Sequence, residues 1–97
     1  MINQEKVCGK VTQIKAQWHR NGSWRRAIPD PAYEKLLNWR MYKEYSHGLM
    51  AELGSHQIDV VNWFLNAVPI SVMAAGGIDY WKDGRSTYDN ISVIFEY

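Results

Sequence analysis

One amphipathic run, GLMAELGSHQIDVVNWFLN from Gly48 to Asn66, constrains this chain more than any other stretch. At about 100° per residue, Leu53, Ile58, Val60, Val61, Phe64 and Leu65 fall on one arc, and Glu52, Ser55, His56, Asp59, Asn62 and Trp63 on the other. The spacing predicts a long helix with one apolar face to bury, ended by Asn66 and Pro69. An apolar helical stripe needs a second layer against it. The flanking sequence offers a sheet: PISVMAAGGI and DNISVIFEY both read as β, with Val72, Ile91, Val93 and Phe95 on sheet faces, joined by DYWKDGRSTY and its Asp-Gly turn.

Before the helix, MINQEKVCGK reads as a frayed helix end closed by Gly9, and KVTQIKAQWH alternates as a strand would, although its faces are poorly sorted. RNGSWRRAIPDP is a loop. Asp30 and Pro31 then cap and open a short helix through AYEKLLNWRMY. Together these predict a single partial domain over residues 1–97, of α+β class, with an open, mostly antiparallel sheet and the long amphipathic helix packed on one face. The pattern stops in mid-strand at FEY, so a sheet lacking a neighbour is expected.

Size and charge narrow the function. Ninety-seven residues support one modest core, burying roughly 60–65% of the unfolded surface. The net charge of +1 and the absence of a Lys-rich stripe exclude a polybasic nucleic-acid surface. Apolar runs fall well short of the ~20 residues of a membrane span, and the N-terminus lacks the apolar core of a signal peptide. Cys8 stands alone, so neither a disulfide framework nor a cysteine zinc site is available, and a cytoplasmic setting is expected.

Chemistry concentrates on the polar side of the long helix. Residues four apart are neighbours, so Glu52 can reach His56, and Asp59 sits one turn further on. A carboxylate on one ring nitrogen would fix the imidazole tautomer and leave the other nitrogen to take a hydroxyl proton. By spacing alone, such a pair is more often a solvated helix surface. The paired histidines of His-Glu-x-x-His are missing, and no metal is expected. No phosphate-binding glycine loop occurs, because AAGG follows a strand without opening a helix. A second group, Trp18, His19, Arg20, Trp24, Arg25, Arg26, Trp39, Arg40 and Tyr42, mixes stacking faces with planar donors, as suits polyhydroxylated ligands. The same residues could instead brace the fold, with the arginines pairing with local acids. Tyr80, Trp81 and Arg85 mark either a further substrate loop or a strand connection.

The stretch HGLMAELGSHQIDVVNWFLNAVPISV resembles the motif Gly-Gly-x-Leu-x-Asp-x-Gly-x-His-x-x-Asp of the glucose–fructose oxidoreductase and inositol dehydrogenase family (Gfo/Idh/MocA). Gly48 takes the second glycine, Glu52 the first acid, Gly54 the next glycine, His56 the histidine and Asp59 the last acid. NWRMYKEYS and GGIDYWKDGRSTYDNISVIFEY extend the resemblance, to one bacterial branch, over nearly all of the chain. Two positions depart from the motif: His47 stands where many members have the first glycine, and Glu52 replaces aspartate.

The resemblance implies the C-terminal substrate domain of an NAD- or NADP-dependent oxidoreductase acting on a sugar, polyol or related hydroxy compound. His56 would be the acid/base and Glu52 its orienting partner. Asp59, Trp24, Arg25, Trp39, Arg40 and Tyr42 would meet substrate, and the sheet would serve a homo-oligomer. The N-terminal Rossmann domain and its lysine are absent, so these residues alone are expected to be catalytically silent. The rival expectation is a non-catalytic module associating through an unpaired sheet edge.

Overall fold

Asp30 and Pro31 begin the first helical region for the expected reason. Asp30 is extended, and its carboxylate accepts the Ala32 N–H at 2.7 Å, while Pro31 gives up an N–H that a first turn leaves unpaired anyway. The computed structural model describes residues 5–97. The expected short helix proves to be three pieces: a 3-10 turn Pro31–Tyr33, helix α1 Glu34–Leu37, and a second 3-10 turn Trp39–Met41. It breaks at Asn38, which is 2% exposed and spends its side chain on backbone groups across a loop. Its carboxamide accepts from the Arg26 N–H at 2.7 Å and donates to the Arg26 carbonyl at 3.1 Å. Such side-chain bonding competes with helix continuation.

The long helix opens at Gly48, whose φ of +73° lies in the left-handed region that favours glycine, with its N–H held by Ser46 Oγ at 3.0 Å. It winds first as a wide π turn, Met50–Gly54, and then as α2, Ser55–Leu65. The Ser55 N–H reaches back to Met50 O, the i→i+5 bond of a π turn. The Met50 side chain lies over buried Gly54, where an added Cβ would meet its Cε at 2.6 Å. Asn66 ends α2 in the left-handed conformation, φ 50°.

Strands β1 (Ser71–Gly77) and β2 (Asn90–Glu96) pair antiparallel, in register from Ser71 opposite Glu96 to Gly77 opposite Asn90. At Gly76 a Cβ would sit 2.4 Å from the Asn90 carbonyl, so the close approach of the strands requires glycine. The β1–β2 connection is gathered by Asp89, whose carboxylate accepts the N–H groups of Asp79, Tyr80 and Trp81 at 3.2, 2.9 and 2.7 Å. Burial alone would raise this acid. The Trp81 N–H, the Asn90 amide and the other two N–H groups outweigh it and hold Asp89 well below the ordinary carboxylate range.

The α+β class and the antiparallel pairing are therefore as read, with three corrections. The alternating segment 10–19 is not a strand. Its backbone makes no ladder bond among the described residues, and it lines a cavity instead of joining the sheet. The helix and sheet do not interdigitate: the inner stripe Leu53, Gly54, Gln57, Ile58, Val61 and Leu65 faces β2 across a cavity of about 1190 Å³ walled on another side by residues 11–24. Val60 and Phe64, read as core, are 44% and 39% exposed, for they lie at the margin of the apolar arc beside His56 and Trp63. The expected helix end near the N-terminus falls partly outside the described residues, and within them Gly9, φ +63°, closes a turn onto Lys6 O.

Met41 is the one fully buried apolar side chain among the described residues. It sits where residues 86–87 cross residues 40–43, and its carbonyl accepts the Ser86 and Thr87 N–H groups at 2.8 and 3.1 Å. The radius of gyration, 17.1 Å, exceeds the about 13 Å of a compact chain this long, so much apolar surface has no cover within the chain. No helix among the described residues is long and apolar enough to cross a membrane.

Candidate functional site

The side chains singled out by sequence separate into two environments. On the outward side of the long helix, His56 and Asp59 are exposed and make no hydrogen bond to other described residues. Neither borders the large cavity, which lies behind the helix. The nearest ring to His56 is Trp18, brought over by the extended segment, with ring centroids 6.4 Å apart and planes tilted by 41°.

Glu52 is turned away from His56. The π turn displaces residue 52 from the α-helical position assumed in the i, i+4 reading, and no hydrogen bond joins the two. Instead one carboxylate oxygen accepts Arg40 Nε at 2.9 Å and the other accepts Ser46 Oγ at 3.2 Å. Glu52 thus ties the start of the helix to the Trp39–Met41 turn. Arg40 in turn lies over the Trp39 ring, its guanidinium carbon 4.2 Å from the centroid. Ser46, not singled out by sequence, carried one available signal: a serine two residues before a helix-opening glycine is a capping candidate.

Arg25 and Tyr42 belong to a different assembly, a polar clasp joining loop 23–26, α1 and loop 83–87. Arg25 donates to both carboxylates, Glu34 and Asp83, with the Asp83 contact at 3.2 Å, and to the Asp83 carbonyl at 2.8 Å. Tyr42 donates its hydroxyl to Glu34 at 2.7 Å. Arg85, its side chain 6% exposed, closes the far side through Asp83 at 2.7 Å and the Ser23 carbonyl at 2.9 Å. The charges respond accordingly. Burial pulls the Arg25 guanidinium down, but hydrogen bonds to Asp83, Glu34 and Tyr42 outweigh it and hold it above its ordinary value. The hydrogen bond from Arg85, followed by that from Arg25, overcomes burial and holds Asp83 far below the usual carboxylate range. The Tyr42 hydroxyl lowers Glu34, and the same bond raises Tyr42. This is the bracing role that the sequence left open for the arginines.

Trp24 adopts a positive φ of 64° and lies under the Arg20 guanidinium, 5.2 Å from its ring. The structure therefore gathers Trp39, Arg40 and Glu52 in one place and Trp18 with His56 in another, and holds Arg25 and Tyr42 in the clasp. Among the described residues no three His, Cys, Asp or Glu side chains gather as a metal would require. Nor do the glycines suit a dinucleotide phosphate: Gly76 and Gly77 lie in β1, where strand pairing uses Gly76, and no helix N-terminus follows them.

With this geometry in place, comparison with known proteins is specific. Residues 2–97 match the model of the GFO/IDH/MocA C-terminal domain. The chain is also 30% identical over 81 residues to the Bacillus subtilis (strain 168) protein named "Putative oxidoreductase YteT", an alignment covering 84% of this chain. The chain spans 17% of the length of that relative. No solved structure matches. The match runs through the clasp, the π turn, the outward helix face and the strand pair alike, and the chain belongs to the GFO/IDH/MocA C-terminal domain family.

Proposed function

We propose that this chain supplies the substrate-side wall of an NAD(P)-dependent oxidoreductase acting on a sugar, polyol or related hydroxy compound. The observation that carries the reading is the outward helix face, where His56 stands exposed and without a hydrogen-bond partner among the described residues, while the acid at the first acidic position of the motif, Glu52, is engaged elsewhere. An imidazole so placed can take the proton of a carbinol hydroxyl as the carbon is oxidised, or return it in the reverse direction. Hydride exchange belongs to a nicotinamide. Asp59, one turn on, is assigned to a substrate hydroxyl. Glu52 acts through Arg40 and Ser46 as a positioning residue at the helix start.

The test is His56→Gln in the full-length oxidoreductase. Turnover is expected to fall by about 10²–10⁴-fold with the fold intact by circular dichroism. Near-normal turnover sinks the assignment.

The sheet supports a second element of the proposal, self-association. Met73 and Ile94 sit opposite each other on the strands and are 74% and 72% exposed, an apolar pair that the chain leaves open. Sedimentation should show an oligomer that Ile94→Lys weakens, and a wild-type monomer at high concentration would count against it.

A further inference from the structure

The asparagines among the described residues differ in what holds them. Asn38 is 2% exposed and bonded through both ends of its carboxamide. Asn62, within α2, accepts the Tyr97 hydroxyl at 2.7 Å. Asn66 closes α2 with its N–H on the Asn62 carbonyl, and Asn90 opens β2 with its amide donating to Asp79 and Asp89 at 2.6 and 2.9 Å. Asn21 is different. It is exposed, it lies in the irregular segment before the clasp, and neither its side chain nor the N–H of Gly22 bonds to a described residue. The first anchor comes just after this pair, where Ser23 accepts the Arg25 N–H on its hydroxyl at 3.2 Å and Arg85 on its carbonyl at 2.9 Å.

An asparagine carboxamide carbon lies within reach of the main-chain nitrogen of the next residue, so the two can close into a cyclic imide. The attack is ordinarily held back by a side chain crowding that nitrogen, by a hydrogen bond on its N–H, or by a helix or strand that fixes the backbone away from the ring geometry. None of these operates at Asn21. It is the one asparagine in the sequence followed by glycine, and nothing lies within 4 Å of where a Gly22 Cβ would be.

We infer that Asn21 is a site of spontaneous covalent modification, deamidating through a cyclic imide to aspartate and isoaspartate. The Gly22 nitrogen, its proton taken by hydroxide, bonds to Asn21 Cγ. The Cγ–Nδ2 bond breaks, and Nδ2 leaves as ammonia after taking a proton from water. Water then opens the imide: attack at Cγ leaves aspartate, and attack at the main-chain carbonyl leaves isoaspartate, with the chain running through Cγ. Water is consumed and ammonia released, with no change of oxidation state. Either product puts a carboxylate on the wall of the large cavity, which Asn21 lines with Arg20 and Trp24, and takes the formal net charge from +1 to zero. Isoaspartate also adds a methylene to the main chain between Trp18, beside His56, and the Ser23 anchor.

Peptide mapping by mass spectrometry tests this on the full-length oxidoreductase held in mildly alkaline buffer. The peptide spanning Asn21 should gain the mass of an amide-to-acid exchange and split into two chromatographic products. One of them should accept a methyl group from S-adenosylmethionine in the presence of an isoaspartyl methyltransferase. The rate should rise with pH and stay close to that of the same protein unfolded in urea, because no bond of the fold has to open first. Peptides spanning Asn38 and Asn90 should be unchanged in the native protein. Gly22→Ala fits the loop, since Gly22 is not at positive φ and the space is open, and it should slow the reaction severalfold. Asn21→Gln, whose longer side chain would have to close a larger ring, should abolish it. No acid at Asn21, a native rate many times slower than the unfolded one, or an unchanged rate in Gly22→Ala overturns the inference.

Discussion

The clasp around Asp83 and the outward face of the long helix carry similar residue types and treat them in opposite ways. In the clasp Arg25, Arg85, Glu34, Asp83, Tyr42 and Asn38 satisfy one another. On the helix, His56, Asp59 and Trp63 face outward, with 76% of Trp63 exposed. Polar groups that pair internally stabilise a fold, because removing one partner strands the other. Exposed polar groups without an internal hydrogen-bond partner add little to folding. The contrast therefore separates bracing residues from those available to a ligand, a separation that amino-acid type alone could not make for Arg25 or Tyr42.

The strongest test of that separation is in activity. His56→Gln, with its expected loss of about 10²–10⁴-fold in turnover, should leave the urea midpoint of unfolding within experimental error, since the exposed imidazole makes no hydrogen bond to another described residue. A large drop in midpoint would place His56 among the bracing residues.

Asp83→Ala should do the reverse. It removes the acceptor shared by Arg25 and Arg85, and the nearly buried Arg85 guanidinium loses its main partner, at a cost of about 2–3 kcal/mol in unfolding free energy. The carboxylates also predict an acid limit. Asp83 and Asp89 have folded-state values depressed below the ordinary carboxylate value of about 3.9. Their stabilisation is complete above that unfolded value and is lost as pH falls from about 4 through the folded values. Stability measured from pH 7 down to 2 should decline below about pH 4, and less steeply in Asp83→Ala. Equal slopes would show that the clasp carboxylate is not linked to folding.

Gly48→Ala should cost about 1–2 kcal/mol, because φ of +73° is unfavourable for any residue with a Cβ. Thermal unfolding would read it, and an unchanged midpoint would mean that the backbone relaxes at the helix start.

How much of this was legible in the sequence depends on the range of the interaction. The Asp30–Pro31 start and the Asn66 end were readable because each rests on chemistry within a few residues, and β1 and β2 were read as strands. The strand expected over residues 10–19 was not borne out, since alternation records a tendency but cannot supply a partner. The clasp was invisible because Arg25 and Asp83 lie 58 positions apart, and only the fold brings them together. The π turn escaped because a wheel drawn at about 100° per residue assumes α-helix throughout. That assumption put Glu52 beside His56. Met50 folded over Gly54 belongs to the local geometry that sets it elsewhere.

Glu52→Gln gives the smallest effect and the finest discrimination, because Glu52 stands between the two regions. Its ion pair with Arg40, 43% exposed, is of the kind worth about 0.2–1 kcal/mol, and a glutamine keeps an acceptor for Arg40 or Ser46. The unfolding free energy should therefore change by about 0.5 kcal/mol or less. Turnover should fall by much less than in His56→Gln, since no hydrogen bond passes from Glu52 to the imidazole. If Glu52→Gln instead matched the loss of His56→Gln and shifted the pH profile of turnover, the carboxylate would be setting the histidine's basicity. The helix would then have to rewind from its π turn in the working enzyme to bring the two side chains together, and the boundary between bracing and functional residues would move to include Glu52.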